Sequence, residues 1–422
     1  MQVFKFGGAS LKDAENIKNV ADIIDKYKSD IGFVVISALG KTTNALEMVI
    51  NLYVNKNDFY IGAVKTLIES HLDICKDLFK NEDFTNVEQK LNSFQDAILD
   101  FLGTNTNNTY TFIYDQIVPY GELLSSTIVS EYLISKSIKN EWIDARTIIC
   151  TDSNYTEAKV DFEASIPKIK ALLKTNEIKV TQGFIAKNND GYTTTLGREG
   201  SDYTAAVISY CIDASKMVIW KDVPAVLNAD PRIFKDTITL PKLSYREAIE
   251  MTYYGAQVIH PKTIKPLQNK QIPLHVKSFI DKDSIGTIIG GNDEENYISY
   301  PPIIVYKTNQ VLVSISVKDF SFIAEENLST IFKCFSNHGL RMNMTHSGAI
   351  SFSACIENKM ERIKSLVLAL SNDFEVKYNE SLELLTIRHY TQEKIDELTK
   401  NKNILLTHKT RTTIQILMRN EE

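Results

Sequence analysis

The 422-residue chain has little of what would place a protein in a membrane, outside the cell or on nucleic acid. Its five cysteines, Cys75, Cys150, Cys211, Cys334 and Cys355, are odd in number, widely spaced and set among apolar residues. That pattern argues against a disulfide framework or a zinc site and predicts reduced core residues. No apolar run approaches the ~18 residues needed to span a bilayer. The chain opens directly on a strand-like segment, Val3, Phe4 and Phe6 around Lys5, with no basic stretch leading into an apolar one. A soluble, cytoplasmic protein without a membrane partner is therefore expected. Lys and Arg number 47 against 53 Asp and Glu, a net charge of −6. No basic cluster is long enough to displace counterions along nucleic acid, which excludes that partner.

What is present is a long alternation of short β-branched runs with helical stretches over residues 1–290, the pattern of an α/β fold with a mainly parallel sheet covered by helices. Strands are predicted at 3–6, 33–37, 141–143, 180–184, 217–220 and 272–276. Ile17, Val20, Ala21, Ile24 and Tyr27 repeat at helical spacing, as do Leu123, Thr127, Ile128, Leu133 and Ile134. Ser244 and Glu247 have the spacing of a capping box. Residues 58–102 are charged and helical in pattern, a helical insertion that serves either as a lid or as a passive cover. A polar, glycine-bearing linker, 291–306, precedes a change of style. Residues 307–389 read as a small βαββαβ module of the α+β class, and 390–422 as a shortened second copy.

Several segments carry chemistry. Lys5-Phe-Gly-Gly8 ends the first strand in a cation and two glycines, whose N–H groups can approach a phosphate closely; the same tetrapeptide serves equally as a plain turn. It lacks the spacing of a Walker A loop. Ser37 to Asn44 forms a second loop rich in small residues and hydroxyls after another strand, and ligands of open α/β sheets bind along that carboxyl edge. Glu122, early in a predicted amphipathic helix, either matches the helix dipole or pairs with a substrate ammonium. Arg198 can clamp a carboxylate bidentately, and Ser201 and Asp202 sit where a helix start offers free N–H groups. Glu122, Arg198 and Asp202 together suit a small zwitterion. Asp222, Asp230 and Arg232 lie in a loop after a strand, read either as a ribose and phosphate contact or as an Asp-Pro corner.

Taken in order, Lys5-Phe-Gly-Gly-Ala-Ser10, Tyr120-Gly-Glu-Leu123, Leu196-Gly-Arg-Glu-Gly-Ser-Asp-Tyr-Thr-Ala205, Lys221 to Arg232 and Tyr254-Gly-Ala-Gln-Val-Ile-His-Pro261 resemble the motif set of the aspartate kinases. The resemblance spans residues 1–290, with ACT-like modules following where that family carries them. It implies an amino-acid-kinase fold and transfer of the ATP γ-phosphoryl to the β-carboxylate of L-aspartate, the first step toward lysine, threonine and methionine. By position, Lys5 and Asp202 would be catalytic. Ser37, Thr43, Glu122, Arg198 and Ser201 would hold aspartate. Lys5, Gly7, Gly8, Ser10, Lys221, Asp222, Leu227, Arg232 and Gln257 would serve ATP. A protein metal cage is not expected, and Mg²⁺ would ride mainly on the ATP phosphates.

The sequence departs from the family pattern at five positions. Ala9 and Lys221 stand where threonine is usual, Glu199 where glycine is common, Leu227 where tyrosine is common and Gln257 where lysine is common. These fall mostly on the nucleotide side. Ser321, Phe322, Ile323, Asn343 and Thr345 resemble the effector site of lysine-sensitive members, but Asn343 replaces an aspartate there. An amide does not neutralise an ammonium, which argues against lysine as the effector. The resemblance further implies a homodimer through the ACT modules and a monofunctional chain, with no room after the second module for a homoserine dehydrogenase. The rival readings are a glutamate-type small-molecule kinase of the same fold and a silent amino-acid sensor.

Overall fold

The computed structural model describes residues 1–256, 258–291, 299–319 and 321–421. The chain divides into two compact units. The first holds Met1–Val226, Thr239–Ile249 and Val258–Ile298, and the second Leu227–Ile238, Glu250–Gln257 and Ser299–Glu422.

The first unit is built on an eight-stranded sheet whose order runs Lys242–Leu243, Thr287–Ile289, Leu274–Ser278, Lys216–Lys221, Gln2–Phe6, Ile31–Ile36, Ile178–Gln182, Asn140–Ile143. The six strands predicted from sequence are all present, with ends displaced by one or two residues. The short Lys242–Leu243 strand and the antiparallel partner Thr287–Ile289 add to them. Gln2–Phe6 lies at the centre, parallel to Ile31–Ile36 on one side and Lys216–Lys221 on the other. Both its faces are covered, so Val3, Phe4 and Phe6 are all buried, in place of the in-out alternation of a half-exposed strand. Lys5 is the one charged side chain in this strand, and it too is buried.

Local signals explain the helices around this sheet. The Ala14–Tyr27 helix starts at Asp13, whose carboxylate accepts from the Asn16 N–H at 2.9 Å, and it turns Ile17, Val20, Ala21 and Ile24 inward. Ser244 Oγ accepts from the Glu247 N–H at 3.0 Å and so caps the Tyr245–Tyr254 helix. The Tyr120–Ser135 helix departs from expectation. It is buried on nearly every side, not amphipathic, and only its end emerges, at Ile134.

The insertion supplies part of that cover. Its helices Phe59–Leu78 and Asn81–Thr104 place Cys75, Phe79, Val87 and Leu91 in the same core as Ile24 and Tyr132. A third helix, Tyr110–Ile117, extends the helical layer past the expected end at residue 102. A smaller four-stranded sheet, Val160–Asp161, Cys150–Thr151, Ile185–Asn188 and Thr193–Thr195, completes the unit.

The second unit centres on a six-stranded sheet in the order Met342–Ser347, Ser351–Glu357, Ile303–Val317, Phe374–Arg388, Thr413–Asn420, Lys402–Lys409, with antiparallel pairing throughout. Its two 15-residue strands each pass through a left-handed residue, Asn309 and Ser381, where their pairing register shifts. That break divides two cores. Val311, Val313 and Ile315 pack under the Glu325–Asn337 and Met360–Leu370 helices, whereas Ile304, Leu385 and Ile387 pack with Ile395 of the Gln392–Leu398 helix and with Ile414 and Ile416. The C-terminal tail, one helix followed by two strands, thus shares its core with strand halves at 303–307 and 382–388.

All five cysteines are free. Four are buried, and burial pushes the thiols of Cys75, Cys211 and Cys355 up to about 12. Cys334, expected in the core, is only half-buried at the end of a helix face. No helix among the described residues is long and apolar enough to cross a membrane.

Candidate active site

Parallel strands leave their following loops side by side at the carboxyl edge, and here two such loops are joined: the Gly40 N–H donates to Gly8 O at 3.3 Å. The fit is close, since a Cβ at Gly8 would lie 2.7 Å from Ala38 O. Ser37 continues the sheet by donating from N–H to Phe6 O, and Gly183 does the same to Ile36 O. A cavity of about 740 Å³ opens at this edge. Lys5 and Gly8 line it, with Ser37, Ala38 and Gly40 from the second loop, Thr43 from the start of the Thr42–Val54 helix and Glu122 from the start of the Tyr120–Ser135 helix.

The segment from Gly197 to Asp202 forms another wall. It follows the Thr193–Thr195 strand and runs into the Gly200–Cys211 helix, whose first turn presents Ser201 and Asp202. Gly197 at φ +75° and Glu199 at φ +53° make the turn. Gly200 and Gly183 permit the helix to lie close: an added Cβ would meet Phe184 at 2.6 Å in the first case and Ser201 Cβ at 2.4 Å in the second. The Glu199 carboxylate is turned to the backbone, accepting from the His260 N–H at 2.9 Å. That contact answers how an acidic residue is tolerated beside a site for anions.

Charge is arranged with opposite signs in reach. Lys5 Nζ lies 2.6 Å from Asp202 Oδ1, and both side chains are largely buried. The approach is off-axis for a hydrogen bond, leaving Asp202 Oδ1 without an aligned donor. Glu122 accepts from the Ala38 N–H at 3.2 Å through Oε1, while Oε2 has no partner among the described residues. Burial raises the Glu122 carboxyl to about 8, against the smaller opposing pull of the Ala38 and Glu122 N–H groups and of Lys5. Arg198 is exposed on the cavity wall and engages no described partner.

The structure therefore brings together Lys5, Gly8, Ser37, Thr43, Glu122, Arg198, Ser201 and Asp202. It does not place the remaining sequence candidates on this cavity. Gly7 and Ser10 are not among its lining residues, and Ser10 Oγ is directed at Trp220 O, 3.5 Å away. Lys221 donates to Val258 O at 2.8 Å, and Asp222 is exposed. Leu227 and Arg232 belong to the second unit, where the Arg232 guanidinium forks onto Asp230 at 2.6–3.1 Å. Gln257 lies outside the described residues. Among the described residues no group of three or more His, Cys, Asp or Glu could hold a metal ion.

Residues that sequence reasoning missed also line the cavity: Tyr110, Thr111 and Tyr114 from the third insertion helix, Thr156 and Glu157 from a loop, and Phe184 after a strand. Phe184 follows the carboxyl end of the parallel Ile178–Gln182 strand, a position that the sequence pattern marks. The others come from segments with no glycine loop or strand to mark them. None of the effector candidates lines this cavity. Ser321 donates from its N–H and its hydroxyl to Asp319 Oδ1, Phe322 and Thr345 are exposed, Ile323 packs on the module core, and Asn343 is bonded to Lys307 at 2.9 Å and to Gln310 at 2.8 Å.

An open, mainly parallel sheet with glycine loops and a charged cavity at its carboxyl edge is an α/β fold built to bind small anionic ligands, and the amino acid kinase family model matches residues 1–278. The chain belongs to that family. Among its relatives, the lysine-sensitive aspartokinase 3 of Escherichia coli K12 is 28% identical over 403 residues, covering 91% of this chain and 86% of the relative. The chloroplastic bifunctional aspartokinase/homoserine dehydrogenase 1 of Arabidopsis thaliana is 30% identical over 383 residues. That match covers 88% of this chain, which spans only 42% of the length of the plant protein. The crystal structure of E. coli aspartokinase III in complex with lysine and aspartate superposes with a TM-score of 0.81 at 24% identity, covering 99% of this chain and 95% of that one. The fold is thus an amino-acid-kinase α/β unit followed by ACT-like modules.

Proposed function

We propose that the protein is an aspartate kinase that transfers the γ-phosphoryl group of ATP to the β-carboxylate of L-aspartate. The observation that carries this reading is one cavity lined both by a cation beside a glycine loop, Lys5 and Gly8, and by a matched pair for an amino acid, Glu122 and Arg198. Glu122 takes the substrate ammonium, Arg198 forks onto its α-carboxylate, and Ser37, Thr43 and Ser201 complete that side. A carboxylate is already a nucleophile, so catalysis consists of positioning and charge cancellation. Lys5 neutralises the transferring phosphoryl, and Asp202 holds Lys5 in place. Mg²⁺ arriving on the ATP phosphates would cancel further charge there. Gly7, Ser10, Lys221, Asp222, Leu227, Arg232 and Gln257 remain the nucleotide candidates, with Arg232 free to serve only after leaving Asp230.

The E. coli relative is named as lysine-sensitive, and by that analogy the ACT-like modules of residues 307–389 and 390–422 bind an amino-acid effector. Lysine itself is disfavoured, because the Asn343 amide already accepts from Lys307. The Met342–Ser347 strand at one edge of the six-stranded sheet supports a homodimer through these modules. A cytoplasmic location goes with this reading.

The test is ATP-dependent acyl phosphate formation, trapped with hydroxylamine, for the wild type and Lys5→Ala, with L-aspartate and L-glutamate side by side. Aspartyl hydroxamate from the wild type alone is expected. A folded wild type that yields none would leave the silent sensor, and preference for L-glutamate would leave the glutamate-type kinase. Arg198→Ala should raise the KM for aspartate by about tenfold or more with ATP affinity little changed.

A further inference from the structure

The Thr193–Thr195 strand leads directly into the Gly197–Asp202 wall, yet it is an edge strand, paired on one side only with Ile185–Asn188. Edge strands leave backbone groups unmet, and buried ones need partners. Here two adjacent side chains of the third insertion helix supply most of them. Gln116 meets Thr193 on both counts, its Nε2 donating to Thr193 O at 2.9 Å and its Oε1 accepting from the Thr193 N–H at 3.2 Å. Asp115 Oδ2 accepts from the Thr195 N–H at 2.9 Å, and Oδ1 accepts from the Thr195 hydroxyl at 2.7 Å. The Ala158 N–H donates to Thr195 O at 2.9 Å, completing the edge.

Asp115 reaches further. Its Oδ2 also accepts from the N–H of Thr156 at 3.0 Å, a residue held at φ +70° in the loop that lines the cavity with Glu157. The loop and the turn meet tightly, because a Cβ at Gly197 would lie 3.1 Å from Thr156 O. Asp115 is completely buried and, among the described residues, forms no ion pair. A buried carboxylate without a cation is costly unless each oxygen is well donated, as both are here. A helix that needed only to cover the sheet would carry an apolar residue at this position. The same helix faces Tyr110, Thr111 and Tyr114 to the cavity.

We infer that Asp115 and Gln116 are positioning residues that set the acceptor wall of the cavity, fixing the Thr156–Glu157 loop against the turn that carries Arg198. The assignment of that wall to the acceptor rests on the aspartate kinase reading. In this arrangement the insertion is part of the substrate site, with the clamp as its connection.

The substitutions Asp115→Ala, Asp115→Asn and Gln116→Ala test the idea through steady-state kinetics and amide hydrogen exchange at Thr156, Thr193 and Thr195. Asp115→Ala should raise the KM for L-aspartate about tenfold or more, with kcat and the KM for ATP within about threefold of wild type. Asp115→Asn should stay near wild type, because its amide oxygen can accept both N–H groups while the Thr195 hydroxyl turns to accept from the amide nitrogen. Gln116→Ala, at a half-buried position, should raise the same KM by a smaller factor and serves if Asp115→Ala does not fold. An unchanged aspartate KM in a folded Asp115→Ala or in Gln116→Ala, or an equal loss for ATP, overturns the proposal. If the wild type makes no acyl phosphate, the kinase reading falls instead. Exchange then still decides the clamp: faster exchange at Thr156 and Thr195 in Asp115→Ala, or at Thr193 in Gln116→Ala, supports it, and unchanged protection overturns it.

Discussion

Lys5 and Asp202, 197 positions apart in sequence, meet at 2.6 Å between Nζ and Oδ1, one from the central strand and the other from the first turn of the Gly200–Cys211 helix. Their burial makes the pair interdependent, since either charge alone would be stranded in a poorly solvated site.

Once one partner is gone, removing the second should therefore cost less than it does from the intact pair. Lys5→Met and Asp202→Leu are each expected to lower stability by about 3–5 kcal/mol, and the double variant by less than the sum. Urea unfolding of the four proteins measures the coupling. Strict additivity would mean that the two groups do not depend on each other.

Glu122 gives a pH dependence whose sign follows from burial. Its carboxyl is raised from 4.5 to about 8 in the folded chain, so between those values the folded state holds a proton that the unfolded state has lost. Stability from this group is present below about pH 4.5, falls as the pH rises toward 8 and is flat beyond. Glu122→Gln should flatten that slope in unfolding experiments at several pH values. Binding runs the other way, because an ammonium is attracted by the ionised form. Affinity for L-aspartate should climb as the pH approaches 8 in the wild type and not in Glu122→Gln.

At Glu199 the backbone is left-handed, at φ +53° and ψ +31°. Glu199→Gly should relieve that conformation at the expense of the His260 contact, changing stability by no more than about 1 kcal/mol. Glu199→Val should destabilise by about 1–3 kcal/mol, because a β-branched residue is strained there. Thermal melts of both variants separate the two effects, and equal melting temperatures would remove backbone conformation as the constraint.

The Gly183→Ala change would set a Cβ 2.4 Å from Ser201 Cβ and 2.6 Å from its Cα. Both neighbours are backbone-anchored, so the helix start must move. A loss of about 1–3 kcal/mol with a raised KM for aspartate is expected. Wild-type kinetics from Gly183→Ala would show that the helix start can shift freely without harm.

Much of the first unit can be read from local signals. The buried strands, the capped helices and the two glycine loops each announce themselves within a few residues, because strand burial, N-capping and φ freedom are local demands. Glu122 and Arg198, from separate motifs, line one cavity, while the pairing of Lys5 with Asp202 appears only in the folded chain. The nucleotide candidates fared differently. Lys221 bonds to Val258 O and Arg232 to Asp230, contacts that depend on where one short loop folds and that no spacing in the sequence encodes.

The sequence by itself determined an α/β chain with glycine loops after two strands, a basic residue before a helix start and a second region of α+β modules. Tertiary structure alone decided that the Tyr120–Ser135 helix is enclosed, that Glu199 faces the His260 N–H, and that the C-terminal helix shares strands with the preceding module. It also decided that a helix from the insertion reaches Thr156 and Thr195 through Asp115. The physical reason is that propensity, capping and turn geometry act between near neighbours, whereas burial, hydrogen-bond partners and charge pairing are fixed by residues dozens of positions away, which become neighbours only when the sheets and helices close.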